Sequence, residues 1–145
     1  MVIRSFNKFR RSLIDFRGAL YEDVVSNFTL ANRYRDYMIS DLEAKPAEMI
    51  PLDEASRKYE SNASSDMGNC TYITPGIQTV FGINAQGPIH TLPFREAAGL
   101  DFGHKEALRA GKANAFIGMD VLVDDEFYDK VRGEWEGAMK EAGRL

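Results

Sequence analysis

The sequence contains few of the side chains that build disulfides and metal clusters. It has one cysteine, Cys70, and two histidines, His90 and His104, among 145 residues. A single cysteine excludes an internal disulfide and a cysteine-cluster zinc site, and it favours a reducing, cytoplasmic compartment. Two histidines exclude a self-contained tri-histidine centre, so a metal bound here needs carboxylates or ligands from elsewhere.

Long hydrophobic runs are also missing, because charged residues interrupt every apolar stretch. A helix that crosses a membrane needs about 18 consecutive apolar residues, so the sequence predicts no transmembrane segment. Apolar residues make up 44% and charged residues 28% of the chain. This balance is typical of a globular protein, and the length suits a single domain.

Charge is unevenly distributed between the start of the chain and the rest. Residues 1–17 carry five basic side chains and one aspartate, a local charge of +4, whereas the whole chain carries −4. The remaining residues therefore carry −8, which argues against a nucleic-acid partner. The basic start also has an apolar stripe at helical spacing, formed by Phe6, Phe9, Leu13, Phe16 and Leu20. Such a segment fits a packed helix, a mitochondrial presequence or a helix on a membrane surface.

The first half of the body contains signals for both helix and strand. A helix is predicted from Asn27, with Ser26 or Asn27 as its cap, because apolar residues recur on one face as far as Leu42. Residues 44–65 read as a connecting region. Residues 70–74 and 77–83 are rich in β-branched and aromatic side chains, and Pro75-Gly76 separates them. They are predicted to be two short buried strands.

In the second half, breaker residues and small residues dominate the pattern. Proline and glycine are frequent over 84–100, which predicts a loop without regular structure. A helix over 101–123 is predicted to be buried, because small residues allow close approach and its second half is apolar on most sides. A last helix is predicted to begin at Asp124-Asp125 and to stop at Gly143. The expected fold is α/β, ordered helix-strand-strand-helix-helix, with an incomplete sheet because two strands cannot cover the apolar helices.

The common enzyme motifs are absent, so candidate chemistry rests on polar residues in loops. There is no glycine-rich phosphate loop, Gly-x-Ser-x-Gly, His-Glu-x-x-His or Cys-x-x-Cys. Asp66 and Asn69 lie in the loop before the first predicted strand, and His90 and Thr91 lie in the loop after the second. The flanking prolines would stiffen the loop of His90, which suits a metal ligand or a general base. The alternatives are an ordinary loop histidine and a turn aspartate that bonds its own backbone.

Several spaced motifs resemble one enzyme family. Residues 64–77 read Ser-Ser-Asp-Met-Gly-Asn-Cys-Thr-Tyr-Ile-Thr-Pro-Gly-Ile, followed by Phe-Gly-Ile at 81–83, His-Thr at 90–91 and Glu-Ala-Ala-Gly at 96–99. They resemble the C-terminal part of metallopeptidase family twenty, the dinuclear-zinc aminoacylases and carboxypeptidases. Within it they are most similar to the amidohydrolase branch, with p-aminobenzoyl-glutamate hydrolases and the dipeptidase acting on β-alanyl-lysine dipeptides. The resemblance covers roughly residues 20–142.

The resemblance implies a metal-dependent amide hydrolase of which this chain is one part. His90 would be the last ligand of a two-zinc centre, and Asp66, Asn69 and Thr91 would line the pocket for an acyl-amino acid or dipeptide. Residues 1–25 would hold the basic start and the end of the segment returning from the lid domain, and residues 26–145 the C-terminal half of the catalytic domain. No catalytic residue lies in the chain, because the remaining ligands and the glutamate base belong to the other half. Pro93 departs from the family pattern, in which a glutamate often stands two residues after His-Thr.

Two further expectations follow from the missing half. Alone, the chain is expected to be inactive, since one ligand cannot hold two metal ions. The alternative is a non-catalytic remnant that acts as a protein-interaction module through its uncovered sheet edge. Either role allows a homo-oligomer.

Overall fold

The described part of the protein consists of helices. A computed structural model describes residues 22–46 and 65–144. Within these ranges the helices are α1 (Phe28–Ser40), α2 (Met67–Thr71), α3 (Leu92–Ala98), α4 (Asp101–Val123) and α5 (Asp125–Glu141). The apolar stripe of the basic start and most of the connecting region lie outside the described residues, so those interpretations stay predictions.

Helix α1 begins where the sequence places it, and Asn27 is the residue that caps it. The side-chain Oδ1 of Asn27 accepts a hydrogen bond from the Leu30 N–H at 3.0 Å. The Asn27 Nδ2 donates to the Val131 carbonyl of α5 at 2.9 Å, so the same buried side chain also links two helices. The predicted inner face is confirmed, because Leu30, Tyr34 and Met38 are buried.

Helices α4 and α5 are separated by one residue, Asp124. Its carboxylate accepts from the Phe127 N–H at 3.0 Å and caps α5, whose first turn contains Asp125 and Glu126. Negative side chains at a helix start offset the partial positive charge of the helix dipole. At the other end Gly143 adopts φ +66°, the left-handed conformation that terminates a helix. Both predicted boundaries of this helix are confirmed.

The core lies where α1, α4 and α5 meet. Helix α1 contributes Leu30, Tyr34 and Met38, α5 contributes Phe127 and Val131, and α4 contributes small side chains together with Ile117. Ala113 is fully buried and Ala110 nearly so, which lets the α1 and α4 backbones approach closely. The predicted burial of α4 is therefore correct on one face only, because the opposite face is exposed.

The predicted α/β fold with an incomplete sheet is wrong for the described residues, which contain no strand. Residues 70–74 form the end of α2 and the turn after it, where Ile73 and Thr74 N–H groups both donate to the Cys70 carbonyl. Cys70 itself is exposed instead of buried in a strand. None of the described residues forms a strand beside residues 77–83, and β-branched composition cannot make a strand without a pairing partner.

The loop predicted over 84–100 is also partly wrong, because α3 occupies its second half. Pro93 lies in the first turn of α3, where a missing backbone N–H costs no intrahelical hydrogen bond. Helix α4 begins at Asp101, as predicted, and Leu100 occupies the capping position without a side-chain hydrogen bond. No helix within the described ranges combines the length and the apolar character needed to cross a bilayer.

Candidate functional site

His90 lies in a tight turn immediately before α3. The Thr91 Oγ1 donates a hydrogen bond to the Pro88 carbonyl at 2.6 Å, which closes the turn around His90. A Cβ at Gly87 would lie 3.0 Å from the Thr91 Oγ1, so a larger residue there would press on the hydroxyl that closes the turn. This geometry agrees with the sequence-based expectation of a stiff loop around His90. The Thr91 hydroxyl restrains the loop through its hydrogen bond, in addition to the prolines.

The backbone of His90 adopts a conformation that few side chains favour. Its φ is +67°, in the left-handed region. That region costs a residue other than glycine about 1–2 kcal/mol, although asparagine, aspartate and histidine enter it more readily than others. Non-glycine residues held in this region occur disproportionately at functional sites. The turn therefore holds one imidazole at the surface in a fixed backbone geometry.

The imidazole of His90 is available for a ligand. The residue is exposed, and its side chain makes no hydrogen bond or ion pair with the part of the chain that the structure describes. Exposed Ile89 and Leu92 flank it on either side. An uncommitted imidazole on a rigid turn can bind a metal ion or accept a proton.

The two predicted site residues of the other loop have different roles in the fold. The Oδ1 of Asn69 accepts from the Glu22 N–H at 3.1 Å, which ties the chain before α1 to α2. Asp66 precedes α2, is exposed, and its carboxylate does not cap the helix; the hydroxyl of Ser65 accepts from the Met67 N–H instead. The Thr91 hydroxyl bonds within the turn of His90, and the Asn69 amide bonds the chain before α1. His90 and Thr91 therefore share one turn, whereas Asp66 and Asn69 belong to the start of α2.

Other residues around α2 anchor the chain, and the sequence analysis missed them. The side chain of Thr71 is fully buried, and its hydroxyl accepts from the Val25 N–H at 3.0 Å. The indole Nε1 of Trp135 donates to the Thr71 carbonyl at 2.8 Å. Gly68 packs against the Glu22 backbone so closely that any side chain would collide with it. These partners are separated by tens of residues, so no local pattern signals them.

A polar cluster between α1 and α4 stabilises the contact between these two helices. The Tyr37 hydroxyl donates to Asp120 at 2.7 Å, and Arg33 forms an ion pair with the same carboxylate at 3.3 Å. The hydrogen bond to Asp120 raises the pKa of the Tyr37 hydroxyl. The Arg33 guanidinium also lies over the Phe127 ring, 4.6 Å from its centre. Every member is matched to a neighbour, so the cluster offers no free group to a ligand.

An open groove of about 320 Å³ lies between the turn after α1 and the first half of α4. Acidic Asp41 and Glu43 line one side, and basic Lys105, Arg109 and Lys112 line the other. Arg109 is paired with Glu106 at 3.0 Å. None of the predicted site residues lines this groove, and its mixed charges favour no one class of ligand.

The described residues do not form a metal centre by themselves. Within 22–46 and 65–144, no three histidine, cysteine, aspartate or glutamate side chains are placed where they could hold an ion together. His90 stands alone, so it can contribute at most one ligand to a centre completed by other parts of a polypeptide. No catalytic step through a metal follows from these residues.

The chain is similar to known dipeptidases over part of its length. It is 29% identical over 121 residues to the mouse Xaa-Arg dipeptidase, covering 83% of this chain and 27% of that protein. It is 31% identical over 80 residues to the human Xaa-Arg dipeptidase, covering 55% of this chain and 18% of that protein. The chain therefore spans about a quarter or less of these curated relatives. No family model matches it, and no solved structure matches it. The similarity supports a relationship to hydrolases of peptide bonds and does not distinguish the amidohydrolase branch within them.

Proposed function

We propose that this chain supplies one part of a zinc-dependent hydrolase of dipeptides or acyl-amino acids, with His90 as a metal ligand. The observation that carries the proposal is the turn of His90: an exposed, uncommitted imidazole on a backbone held at positive φ. Similarity to two Xaa-Arg dipeptidases supports the reaction class. Neutral imidazole is among the commonest zinc ligands, so the residue type suits the role.

In this proposal the remaining ligands and the catalytic base come from polypeptide outside the described residues. The Thr91 hydroxyl positions the turn through its bond to Pro88. Asp66 is exposed and free of a capping role, so it remains the candidate pocket residue of the α2 loop. Asn69 is tied to Glu22, which makes it a support for that loop.

The decisive experiment joins the chain to the missing part of a relative. In a chimera, this chain replaces the matched stretch of the mouse Xaa-Arg dipeptidase, and hydrolysis of a dipeptide ending in arginine is measured together with zinc content. We expect both to be present in the chimera, and hydrolysis to be absent from the chain alone. His90→Ala should lower the rate on the order of a thousandfold and lower zinc content, because a metal centre with one ligand fewer holds and activates its ions poorly.

The matched control is His104→Ala, since His104 is the other histidine and lies exposed in the first turn of α4. We expect this change to leave rate and zinc content unchanged. His90 is exposed, but alanine is less favourable than histidine at positive φ, so His90→Ala should lower the free energy of unfolding by no more than about 1 kcal/mol. An unchanged far-UV circular dichroism spectrum then separates loss of a ligand from loss of the fold. Equal losses in the two variants, or full activity of His90→Ala, would refute the assignment.

A further inference from the structure

Arg144 follows the turn that ends α5, and its backbone is fixed to that helix. Its N–H donates to the Met139 carbonyl at 2.9 Å, and the Gly143 N–H donates to the Lys140 carbonyl at 3.0 Å. With Gly143 in the left-handed conformation, these two hydrogen bonds form a Schellman motif. Because Met139 is fully buried, α5 holds Arg144 at a defined place beside its last turn.

The guanidinium of Arg144 contacts two other parts of the chain. Its Nη2 forms an ion pair with the Glu22 Oε1 at 2.5 Å, and its central carbon lies 4.8 Å from the centre of the Tyr72 ring. Tyr72 directly follows α2, whereas Glu22 lies before α1. A planar guanidinium can stack on an aromatic ring while it bonds a carboxylate. One side chain therefore joins the end of α5, the segment 22–25 and α2.

The segment 22–25 is itself hydrogen-bonded along α2. Three bonds connect them: from the Glu22 N–H to the Asn69 Oδ1 at 3.1 Å, from the Val25 N–H to the Thr71 Oγ1 at 3.0 Å, and from the Tyr72 hydroxyl to Asp23 at 2.9 Å. Glu22 thus binds α2 through its backbone and Arg144 through its carboxylate. The contacts of Arg144 close a ring of three chain segments.

Helix α2 depends on such contacts because it has little apolar packing of its own. It is five residues long, and its buried residues are Gly68 and Thr71. Isolated helices shorter than about 12 residues are marginal, and packing of an apolar face normally stabilises a helix in a protein. The orientation of α2 is therefore set by its bonded neighbours. Trp135 holds it on the buried side through the Thr71 carbonyl, and Arg144 holds it on the exposed side.

We propose that Arg144 is a positioning residue of the hydrolase, which fixes the α2 loop, residues 65–72, in the orientation that presents Asp66 to the substrate. The inference rests on the proposed function, in which Asp66 is the candidate pocket residue. Asp66 immediately precedes α2, so a movement of α2 moves its carboxylate. Loss of Arg144 should therefore weaken substrate binding. It should leave zinc binding intact, because His90 lies in a separate turn.

Arg132 offers a matched control, because it makes the same two kinds of contact within one helix. Its guanidinium lies 4.8 Å from the centre of the Trp135 ring, and its Nε pairs with the Glu136 Oε1 at 2.8 Å. The two arginine side chains are similarly exposed, 46% for Arg132 and 41% for Arg144. Because Arg132 and both of its partners belong to α5, Arg132→Ala removes an equivalent pair of contacts without releasing α2.

Cys70 allows the motion of α2 to be measured directly. It is the one cysteine of the sequence, and it is exposed within α2. A nitroxide label on its Sγ reports the mobility of the loop by electron paramagnetic resonance. We expect Arg144→Ala to increase the mobility of the label and Arg132→Ala to leave it unchanged. Arg144→Lys should have an intermediate effect, because an ammonium group lacks the planar fork that stacks and pairs together.

The chimera with the mouse Xaa-Arg dipeptidase measures the consequence for the substrate. Because an exposed ion pair and an exposed cation–π contact each contribute modestly, Arg144→Ala should raise KM about fivefold and change kcat and zinc content less than about twofold. Arg144→Lys should recover part of the loss, and Arg132→Ala should leave KM unchanged. Once Asp66→Ala has been made, Arg144→Ala should raise KM little further, since the two residues act on one contact.

Several results would overturn the positioning role. In the chain alone, these are an unchanged spectrum of the label in Arg144→Ala and equal effects of Arg144→Ala and Arg132→Ala. In an active chimera, they are an unchanged KM in Arg144→Ala and independent effects of Arg144→Ala and Asp66→Ala on KM. A chimera without hydrolysis, together with a label mobility that depends on Arg144, would refute the proposed function and uphold the contact of Arg144 as the restraint on α2.

Discussion

The side chain of Asn27 makes two hydrogen bonds with different structural roles, and two substitutions at this position should separate their contributions to stability. Its Oδ1 caps α1 at the Leu30 N–H, and its Nδ2 bridges to the Val131 carbonyl on α5. Loss of a helix cap costs about 1 kcal/mol, and loss of a buried hydrogen bond costs about another 1 kcal/mol. Asn27 is only 3% exposed, so water cannot replace either partner. Asn27→Ala should therefore lower the free energy of unfolding by about 2 kcal/mol, equivalent to about 4–8 °C in melting temperature for a chain of this length.

Asn27→Ser divides this loss, because serine can still cap the helix but is too short to reach Val131. We expect it to lose about 1 kcal/mol, the contribution of the bridging hydrogen bond alone. Urea unfolding at micromolar concentration, followed by far-UV circular dichroism and by the fluorescence of buried Trp135, measures both variants. Asn32→Ala serves as a control, since that residue lies exposed within α1 and should show no loss. Equal losses for alanine and serine, or an alanine loss below about 0.5 kcal/mol, would refute the two-part reasoning.

Two further changes test other contacts of the fold. Gly68→Ala would place a Cβ 1.9 Å from the Glu22 carbonyl oxygen, so it should lower the free energy of unfolding by about 3 kcal/mol in the same urea assay. Gly82→Ala is the control, because a Cβ at Gly82 has no neighbour within 4 Å and should leave the free energy of unfolding unchanged. The hydrogen bond from Tyr37 to Asp120 raises the pKa of the tyrosine, so its stabilising effect is present below the usual tyrosine pKa and is lost as pH rises above it. Stability should fall less steeply above about pH 10 in Tyr37→Phe than in the unchanged chain, and identical pH profiles would contradict this.

The amino-acid sequence by itself determined the helices that carry their own boundary signals. Helix α1 follows from Asn27 and the spacing of Leu30, Tyr34 and Met38, and α5 follows from Asp124 at its start and Gly143 at its end. These signals act within one or two turns, so neighbours along the chain suffice to read them. The stiff surroundings of His90 were likewise readable from nearby glycine and proline.

Tertiary structure decided everything that depends on distant partners. Residues 77–83 have the composition of a strand, but hydrogen bonds between strands need a neighbour, and the described residues provide none. The hydrogen bonds from Asn69 to Glu22 and from Thr91 to Pro88 join residues that no local pattern pairs, and the pocket roles implied by the family resemblance stay predictions. The predicted burial of α4 was correct only for the face that packs against α1 and α5. The apolar pattern of a helix indicates which of its faces can be buried, and only the tertiary structure shows which of them are buried.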